Sequence, residues 1–207
     1  MPAIIPERKK QPREPENKMS SLFTKFLSNP GKVGAFCASS RALAVEMTRH
    51  IGMENAGTVV ELGPGTGAIT CEIIPRLAEN SKFIAVELDE EMAENIRARF
   101  PRASVSCGCA SNLPEILNEN GCTHTDIIIS GLPWAIFPEK LQEEILGAVF
   151  EALPPGGKFA TFAYIQGVML PAGIRFRRRL ENLFSKVESS HIIWRNLPPA
   201  FVYRCQK

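Results

Sequence analysis

The sequence predicts an α/β fold in which a mostly parallel seven-stranded sheet carries helices on both faces and ends in an antiparallel C-terminal hairpin. Two observations support this prediction. Five short apolar segments alternate with helix-like segments through most of the chain, as parallel strands joined by crossover helices do. A glycine-rich turn follows the first of these segments, and ligands of such sheets bind at the carboxyl ends of the strands.

The predicted elements follow from the local pattern. Runs rich in β-branched and apolar residues predict parallel strands at 58–62, 82–87, 103–107, 125–130 and 159–164. Helices are predicted from Ser39 or Ser40 to His50, from Gly67 to about Glu79, from Asp89 onward, around 113–118 and over 138–153. The segments 186–194 and 201–205, separated by RNLPPA, predict the hairpin that closes the sheet.

The chain is predicted to have three regions. Residues 1–17 are rich in proline and charge and are expected to form a flexible tail. Residues 18–52 are expected to form an amphipathic helix and a lid helix, and residues 53–207 a ligand-binding domain. In the amphipathic helix Phe23 and Phe26 lie on one face with Lys25 beside them, which suits either a membrane interface or packing on the domain.

Composition and charge limit the classes of protein to which this chain can belong. With 207 residues, 44% of them hydrophobic, the chain is ordinary for one soluble domain. It has no apolar run of about 18 residues and no signal-peptide core, so we expect a cytoplasmic protein. Its cysteines form no C-x-x-C pair, so no metal is expected. Both ends are basic and the middle is acidic, which indicates a polyanionic partner, either nucleic acid or an anionic membrane surface.

The glycine-rich turn reads ELGPGTG, with Glu61 before Gly63, Gly65 and Gly67. A dinucleotide site has the spacing G-x-G-x-x-G, whereas G-x-G-x-G behind an acidic residue is the pattern of S-adenosylmethionine sites. The glycines make room for the methionine and ribose parts, and the amides that open the next helix face the carboxylate of the ligand. We expect Glu61 to neutralise the amino group of the ligand.

A second acidic residue, Glu87, ends the apolar segment FIAVE, twenty residues after Gly67. A carboxylate at this distance accepts hydrogen bonds from ribose hydroxyls. Glu87 is therefore expected to bind the ribose, with Asp89 as the alternative. A glycine-rich turn without any ligand is the competing interpretation of the whole motif.

The motif SGLPW follows the fourth predicted strand and carries a second kind of chemistry. The Ser130 hydroxyl and the carbonyl groups of Gly131 and Leu132 are expected to accept hydrogen bonds from an amine and to aim its lone pair at the transferred methyl group. Trp134 offers a π face to a cationic product. The alternative is that Trp134 caps the core.

Four pieces of the sequence, VGAFCASSRALA, VVELGPGTGAIT, SGLPWAIFP and WRNLPPAFVYR, closely resemble the bacterial phospholipid N-methyltransferases that convert phosphatidylethanolamine to phosphatidylcholine. The broader resemblance is to the ribosomal RNA adenine dimethylases. The resemblance implies a Rossmann-like class I methyltransferase fold with S-adenosylmethionine as cofactor. Many relatives carry an acid for the adenine where this chain has Cys109, so Ala110 and Ser111, with Asn112 or backbone groups as alternatives, are expected to hold the adenine.

The implied reaction is transfer of methyl groups to the amine of an aminolipid head group, either phosphatidylethanolamine or an ornithine lipid. The alternative is an enzyme resembling the ribosomal RNA adenine N6-methyltransferases. Their strand-four motif has an asparagine where this chain has Ser130-Gly131, which weakens this alternative. Tyr164 is expected to act as the base with Ser130 as relay, and His191 and Tyr203 are alternatives.

Arginine side chains after the fifth strand are expected to recognise the lipid phosphate, because their forked donors match phosphate geometry. Arg177, Arg195 and Asn196 are the predicted phosphate-binding residues. The other arginines of the RFRRR run are expected to rest on anionic lipid. The protein is therefore expected to be cytoplasmic and to associate peripherally with the inner leaflet of the membrane.

Overall fold

Seven strands of the described structure form a single sheet: β1 (Thr58–Leu62), β2 (Lys82–Glu87), β3 (Ser104–Cys107), β4 (Ile127–Ser130), β5 (Lys158–Tyr164), β6 (Lys186–Ser189) and β7 (Ala200–Gln206). Their order across the sheet is β3-β2-β1-β4-β5-β7-β6. Strands β1 to β5 are parallel, whereas β7 runs antiparallel to both β5 and β6. This topology confirms the predicted fold class.

The computed structural model describes residues 39–207, all of which belong to one compact unit. The predictions for the flexible tail and for the amphipathic helix with Phe23, Lys25 and Phe26 lie outside the described residues.

The helices are α1 (Arg41–Thr48), α2 (Thr70–Ile73), α3 (Glu90–Arg99), α4 (Leu113–Glu119), α5 (Glu139–Ala152), α6 (Ile165–Val168) and α7 (Pro171–Leu183), with short 3-10 turns at Met53–Asn55, Ile74–Arg76, Ala110–Asn112 and Trp134–Ile136. Ser40 caps α1 as predicted, since its hydroxyl accepts a hydrogen bond from the Leu43 amide. Within residues 39–207 no helix is long and apolar enough to cross a membrane.

Several elements differ from the sequence-based expectations, and three of them are described here. The helix predicted to reach Glu79 ends as α2 at Ile73 and continues as a 3-10 turn, because Pro75 has no amide hydrogen to extend the helical bonding. The first hairpin strand ends at Ser189, where the Ser190 hydroxyl, in place of a backbone carbonyl, accepts a hydrogen bond from the Val202 amide. Helix α7 was not predicted, because its RFRRR run was interpreted by charge alone.

The two faces of the sheet carry different cores. On one face α1 contributes Leu43 and Met47 to an aliphatic cluster that includes Ala160 and Val202. The opposite face carries aromatic rings, since successive strand residues point to opposite sides. There Phe159 and Tyr203 contact the rings of Trp134, Phe176, Phe184 and Phe201.

The carboxyl ends of the five parallel strands lie along one edge of the sheet, which we call the ligand edge. The turn after β1 and the SGLPW segment after β4 meet there. Because β7 runs antiparallel to β5, its first residue Ala200 pairs with the last residue of β5, Tyr164. The connection from β6 to β7, residues 190–199, therefore lies at the ligand edge as well.

Candidate active site

The glycine-rich turn after β1 depends on left-handed backbone conformations. Gly63, Gly65 and Gly67 have φ angles of 70°, 53° and 79°. Residues with a Cβ atom are strained in this region, so the G-x-G-x-G spacing has a direct conformational cause. A Cβ at Gly65 would meet no atom within 4 Å, which leaves open space above the turn.

Glu61 lies beneath this turn and is completely buried in β1. Its Oε2 accepts a hydrogen bond of 2.7 Å from the Thr70 hydroxyl, while Oε1 has no hydrogen-bond partner among the described residues. Burial raises the pKa of this carboxyl to about 8. An unpaired, buried carboxylate oxygen next to a glycine turn fits a ligand with an ammonium group, and S-adenosylmethionine has one.

Glu87 ends β2 and is 5% exposed. Its carboxylate accepts hydrogen bonds from the amides of Gly65 (3.0 Å), Leu88 (2.9 Å) and Asp89 (3.2 Å). Glu87 therefore fixes the turn to the end of β2, at the place expected for a ribose-binding acid. The alternative residue, Asp89, caps α3 by accepting a bond from the Met92 amide.

The predicted adenine-binding residues lie in the 3-10 turn after β3. This segment is tied to the end of β2, since the Gly108 amide donates to the Glu87 carbonyl at 2.8 Å. Ala110 is 8% exposed, and the Ser111 hydroxyl lies 3.1 Å from the Cys109 sulfur. The segment thus borders the candidate ribose site, and adenine binding by Ala110 and Ser111 stays a prediction.

The SGLPW segment packs directly on the glycine-rich turn. A Cβ at Gly131 would lie 2.7 Å from the Gly63 carbonyl oxygen, so the two turns touch at a point where any side chain is excluded. Leu132 is buried and packs beside Gly63. The Gly131 carbonyl oxygen has no hydrogen-bond partner within the described part of the chain, whereas that of Leu132 accepts from the Trp134 amide.

The Ser130 hydroxyl is fully buried and already accepts two hydrogen bonds. The Trp134 indole donates to it at 3.2 Å and the Leu132 amide at 3.3 Å. A hydroxyl oxygen has two lone pairs, so both are in use. This corrects the expectation that the Ser130 side chain accepts a bond from the substrate amine: in this structure it retains only its own hydrogen to donate.

Trp134 lies in the core and is 3% exposed. Its ring stacks on Phe176 at 5.2 Å and meets Phe137 and Phe159 edge-on. The indole therefore presents no free face at the ligand edge in this structure, which agrees with the alternative interpretation of a core residue. Its contact with a cationic product stays a prediction.

The three candidate bases have different surroundings. Tyr164 is partly buried at the end of β5, with its ring edge-on to Phe162 at 5.4 Å. Tyr203 is 1% exposed, and burial raises the pKa of its phenol, so the phenol stays protonated at neutral pH. His191 is exposed, with its Nε2 atom 4.0 Å from Glu46. Of the three, Tyr164 is the residue that is both partly buried and located at the ligand edge.

The predicted phosphate-binding residues do not form one cluster. Arg177 is exposed on α7 and pairs with Glu181 at 2.8 Å. Arg195 is exposed and has no ion pair or hydrogen bond within residues 39–207. The Asn196 side chain is an internal tie, because it accepts from the Ser40 amide and donates to the Pro198 carbonyl. Its 3% exposure corrects the expectation that it is available to a phosphate.

Two hydroxyl groups of the site were missed by the sequence reasoning. Thr70 holds one oxygen of Glu61, and the Thr161 hydroxyl donates to the Ser130 carbonyl at 3.2 Å. Thr70 stands at the start of the helix after the glycines, which is a position that sequence reasoning could have examined. In the described part of the chain no group of three or more histidine, cysteine, aspartate or glutamate residues is placed to hold a metal ion.

The chain is similar in sequence to known methyltransferases. A family model described as "Methyltransferase domain" matches residues 59–157. The chain is 34% identical over 185 residues to the ornithine lipid N-methyltransferase of Singulisphaera acidiphila, which covers 88% of this chain and 92% of that protein. It is 44% identical over 71 residues to the ribosomal RNA small subunit methyltransferase A of Acidobacterium capsulatum, 34% of this chain and 24% of that protein.

The fold has solved counterparts. The O-methyltransferase from Bacillus cereus, in complex with SAH, matches with a TM-score of 0.63 and 13% identity, over 94% of this chain and 93% of that chain. The methyltransferase domain and the similarity to the lipid N-methyltransferase make S-adenosylmethionine the cofactor of this enzyme. The chain belongs to the class I S-adenosylmethionine-dependent methyltransferases, in the same family as the ornithine lipid N-methyltransferase of Singulisphaera acidiphila.

Proposed function

We propose that this enzyme transfers methyl groups from S-adenosylmethionine to the amine of an aminolipid head group, with ornithine lipids and phosphatidylethanolamine as the candidate acceptors. The observation that carries the proposal is the similarity to a lipid N-methyltransferase over 92% of that protein's length. The similarity to the ribosomal RNA methyltransferase of Acidobacterium capsulatum is confined to 71 residues and 24% of that protein, so it supports RNA methylation far less.

The cofactor would supply a methyl group on a sulfonium: attack by a neutral amine would form the new C–N bond while the methyl–sulfur bond breaks and S-adenosylhomocysteine leaves. An alkyl ammonium with a pKa of about 10 must lose a proton first, at a cost of about 4 kcal/mol at neutral pH. Removal from water lowers the pKa of an amine, so a sheltered ligand edge reduces this cost. We assign Tyr164, in its phenolate form, to accept the proton of the ammonium group.

Gly131 is the backbone group we assign to orient the amine. Its carbonyl oxygen is free among the described residues, and it adjoins the glycine turn above Glu61. Ser130 has its oxygen occupied and Trp134 has its ring covered, so we assign the contact with the amine to the Gly131 carbonyl and give these two side chains a supporting role. Arg195 is the exposed cation we assign to the anionic group of the acceptor, which is the phosphate in phosphatidylethanolamine, and Arg177 is a second candidate.

The test is methylation of defined lipids. The protein is incubated with methyl-labelled S-adenosylmethionine and vesicles that contain ornithine lipid, phosphatidylethanolamine or phosphatidylcholine alone, and the lipids are separated by chromatography. We expect label in one or both amine-bearing lipids and none in phosphatidylcholine vesicles.

Glu61→Gln should reduce the rate at least tenfold, because a neutral amide pairs weakly with the cofactor ammonium. Glu54→Gln, a change at an exposed glutamate, is the matched control. Absence of label from every amine-bearing lipid, with cofactor binding intact, would contradict the proposal.

A further inference from the structure

Exposed apolar side chains are concentrated in one part of the described structure. Seven large hydrophobic residues are exposed, and six of them belong to residues 169–197. We call these six the apolar rim: Met169, Leu170, Ile174, Ile192, Trp194 and Leu197. Single exposed apolar residues are common on protein surfaces, whereas a cluster marks an interaction site.

The apolar rim comes from two segments that meet at the ligand edge. The first segment follows β5 through α6 into the start of α7, and the second is the connection from β6 to β7. They are joined by the pairing of Tyr164 with Ala200 and by a hydrogen bond of 3.0 Å from the Ile165 amide to the Pro199 carbonyl. The apolar rim therefore borders the same edge as Gly131 and the glycine-rich turn.

The most exposed members are the ones that project from these connections. Met169 is 83% exposed, Leu197 77% and Trp194 70%. Exposure of a large aromatic ring is costly in water, and tryptophan is the residue enriched where an apolar phase meets water. The composition of the apolar rim thus fits the boundary of a lipid bilayer.

Unpaired positive charge accompanies the apolar rim. On α7 Arg175 and Arg179 pair with Glu139, and Arg177 pairs with Glu181. In contrast, the exposed side chains of Arg178 on the same helix and of Arg195 beside Trp194 have no ion pair or hydrogen bond within the described residues. Exposed arginines next to apolar side chains match the phosphates of anionic lipids.

A groove beside the apolar rim adds to this positive surface. It has a volume of about 750 Å³ and lies between α1 and residues 191–195. Its lining includes the unpaired Arg195, as well as Arg41 and Arg49, which pair with Glu72 and Glu46; Glu46 is its one acidic residue and also pairs with Arg204. The exposed Trp194 and Ile192 line the same groove, so apolar and cationic groups are continuous here.

We propose that the apolar rim is a membrane-docking surface, which inserts into the interfacial region of an anionic bilayer while Arg178 and Arg195 contact lipid phosphates. This inference rests on the proposed function and deepens it, because it directs the ligand edge toward the membrane. A lipid head group then reaches the Gly131 carbonyl while its acyl chains remain in the bilayer. The rim thereby explains how a methyl acceptor anchored in lipid reaches a site at the end of a buried sheet.

The first test uses the native protein and needs no variant. The chain has two tryptophans, and Trp134 is already buried, so a change in emission on binding reports Trp194. With vesicles of phosphatidylglycerol and phosphatidylcholine, we expect emission to shift to shorter wavelength and to be quenched by brominated acyl chains. Vesicle binding without either change, or no vesicle binding at all, would overturn the proposal.

The second test removes the apolar rim. The combined variant Met169→Ser, Leu170→Ser, Trp194→Ser and Leu197→Ser should bind these vesicles at least tenfold more weakly in a flotation assay. Its melting temperature should stay close to that of the native protein, because these side chains are exposed. Met92→Ser, at the remaining exposed large hydrophobic residue on α3, should leave vesicle binding unchanged. Unchanged binding in the combined variant would overturn the proposal.

A third measurement separates this inference from the proposed function. The combined variant should still methylate a short-chain aminolipid dispersed in detergent, since no residue of the candidate active site is changed. If the native protein docks through the apolar rim but methylates no lipid, the proposed function fails and the docking surface stands. If lipids in vesicles are methylated equally by the native protein and the variant, the docking surface fails and the proposed function stands.

Discussion

Glu61 is the residue on which the candidate cofactor site depends most. It is buried without a counter-ion, and its single hydrogen bond from Thr70 leaves one oxygen unpaired among the described residues. Burial disfavours the charged form, so the ligand-free protein holds this carboxyl with a raised pKa. A ligand ammonium would supply the missing partner, which makes the site selective for a cation.

The raised pKa gives a pH dependence of stability with a defined sign. The pKa of Glu61 is about 8 in the folded protein and 4.5 as the reference value, so the folded state holds the proton more tightly between these values. Stability of the ligand-free protein should therefore fall as pH rises from about 4.5 to about 8, by up to about 1.4 kcal/mol per pH unit.

Thermal unfolding between about pH 6 and pH 8 measures this effect. For a protein of this size the Tm of the native protein should fall by about 3 °C per pH unit over this range. The variant Glu61→Gln should remove this decrease. Glu54→Gln should keep the native slope, because Glu54 is exposed. An identical slope in Glu61→Gln and the native protein would show that Glu61 does not carry the burial-raised pKa.

At the scale of single residues, sequence reasoning located the motifs but not the state of their side chains. Positions 61, 63, 65, 67 and 87 could be identified, because left-handed turns require glycine and buried strands limit where an acid can stand. The partners of Trp134 and Asn196 could not be identified. They include Phe176 and Ser40, which are distant in sequence and adjacent only after folding.

At the scale of elements, α1 is tied to the sheet by one arginine of β7. Arg204 donates to the Glu46 carboxylate at 2.6 Å and to the carbonyls of Glu46 and Arg49 at 2.8 and 2.9 Å. The side chains of Arg204 and Glu46 are 15% and 7% exposed. Arg204 thus neutralises a buried acid and also satisfies the C-terminal carbonyls of α1.

We expect Arg204→Met to destabilise the protein by about 3–5 kcal/mol, because it leaves the buried Glu46 without its main partner. The free energy of unfolding in urea measures this loss. Lys186→Met is the matched control, since Lys186 pairs with Glu188 and both side chains are 59% exposed. The control should change stability by less than about 1 kcal/mol. A loss equally small for Arg204→Met would show that α1 is held by its apolar contacts alone.

The elements themselves could be predicted to different degrees. Strands β1 and β2 begin and end where the sequence predicts, because they are buried apolar runs with clear turn residues after them. Helix α7 could not be predicted from its charges, although Phe176 and Leu180 show the i, i+4 spacing of a buried helical face. The burial of α7 depends on the aromatic core beneath it, and the local sequence around α7 does not reveal that core.

At the scale of the whole molecule, the ligand edge combines three features that arise from separate parts of the chain. The glycine-rich turn over Glu61 forms the candidate cofactor site, the SGLPW segment provides the Gly131 carbonyl, and the apolar rim borders both. The basic C-terminal charge predicted from sequence agrees with the exposed, unpaired Arg178 and Arg195. This arrangement supports an amphiphilic acceptor whose head group carries an anionic group beside its amine.

The measurement that tests the central proposal most directly is a single reaction in which aminolipids and ribosomal RNA compete as methyl acceptors. Native protein is mixed with methyl-labelled S-adenosylmethionine, ribosomal RNA and vesicles of anionic phospholipid that contain ornithine lipid and phosphatidylethanolamine. Label is then counted in the lipid and RNA fractions. We predict that label enters the amine-bearing lipids and that Glu61→Gln reduces it at least tenfold, whereas Glu54→Gln does not. Label in the RNA with none in the lipids would contradict the proposal.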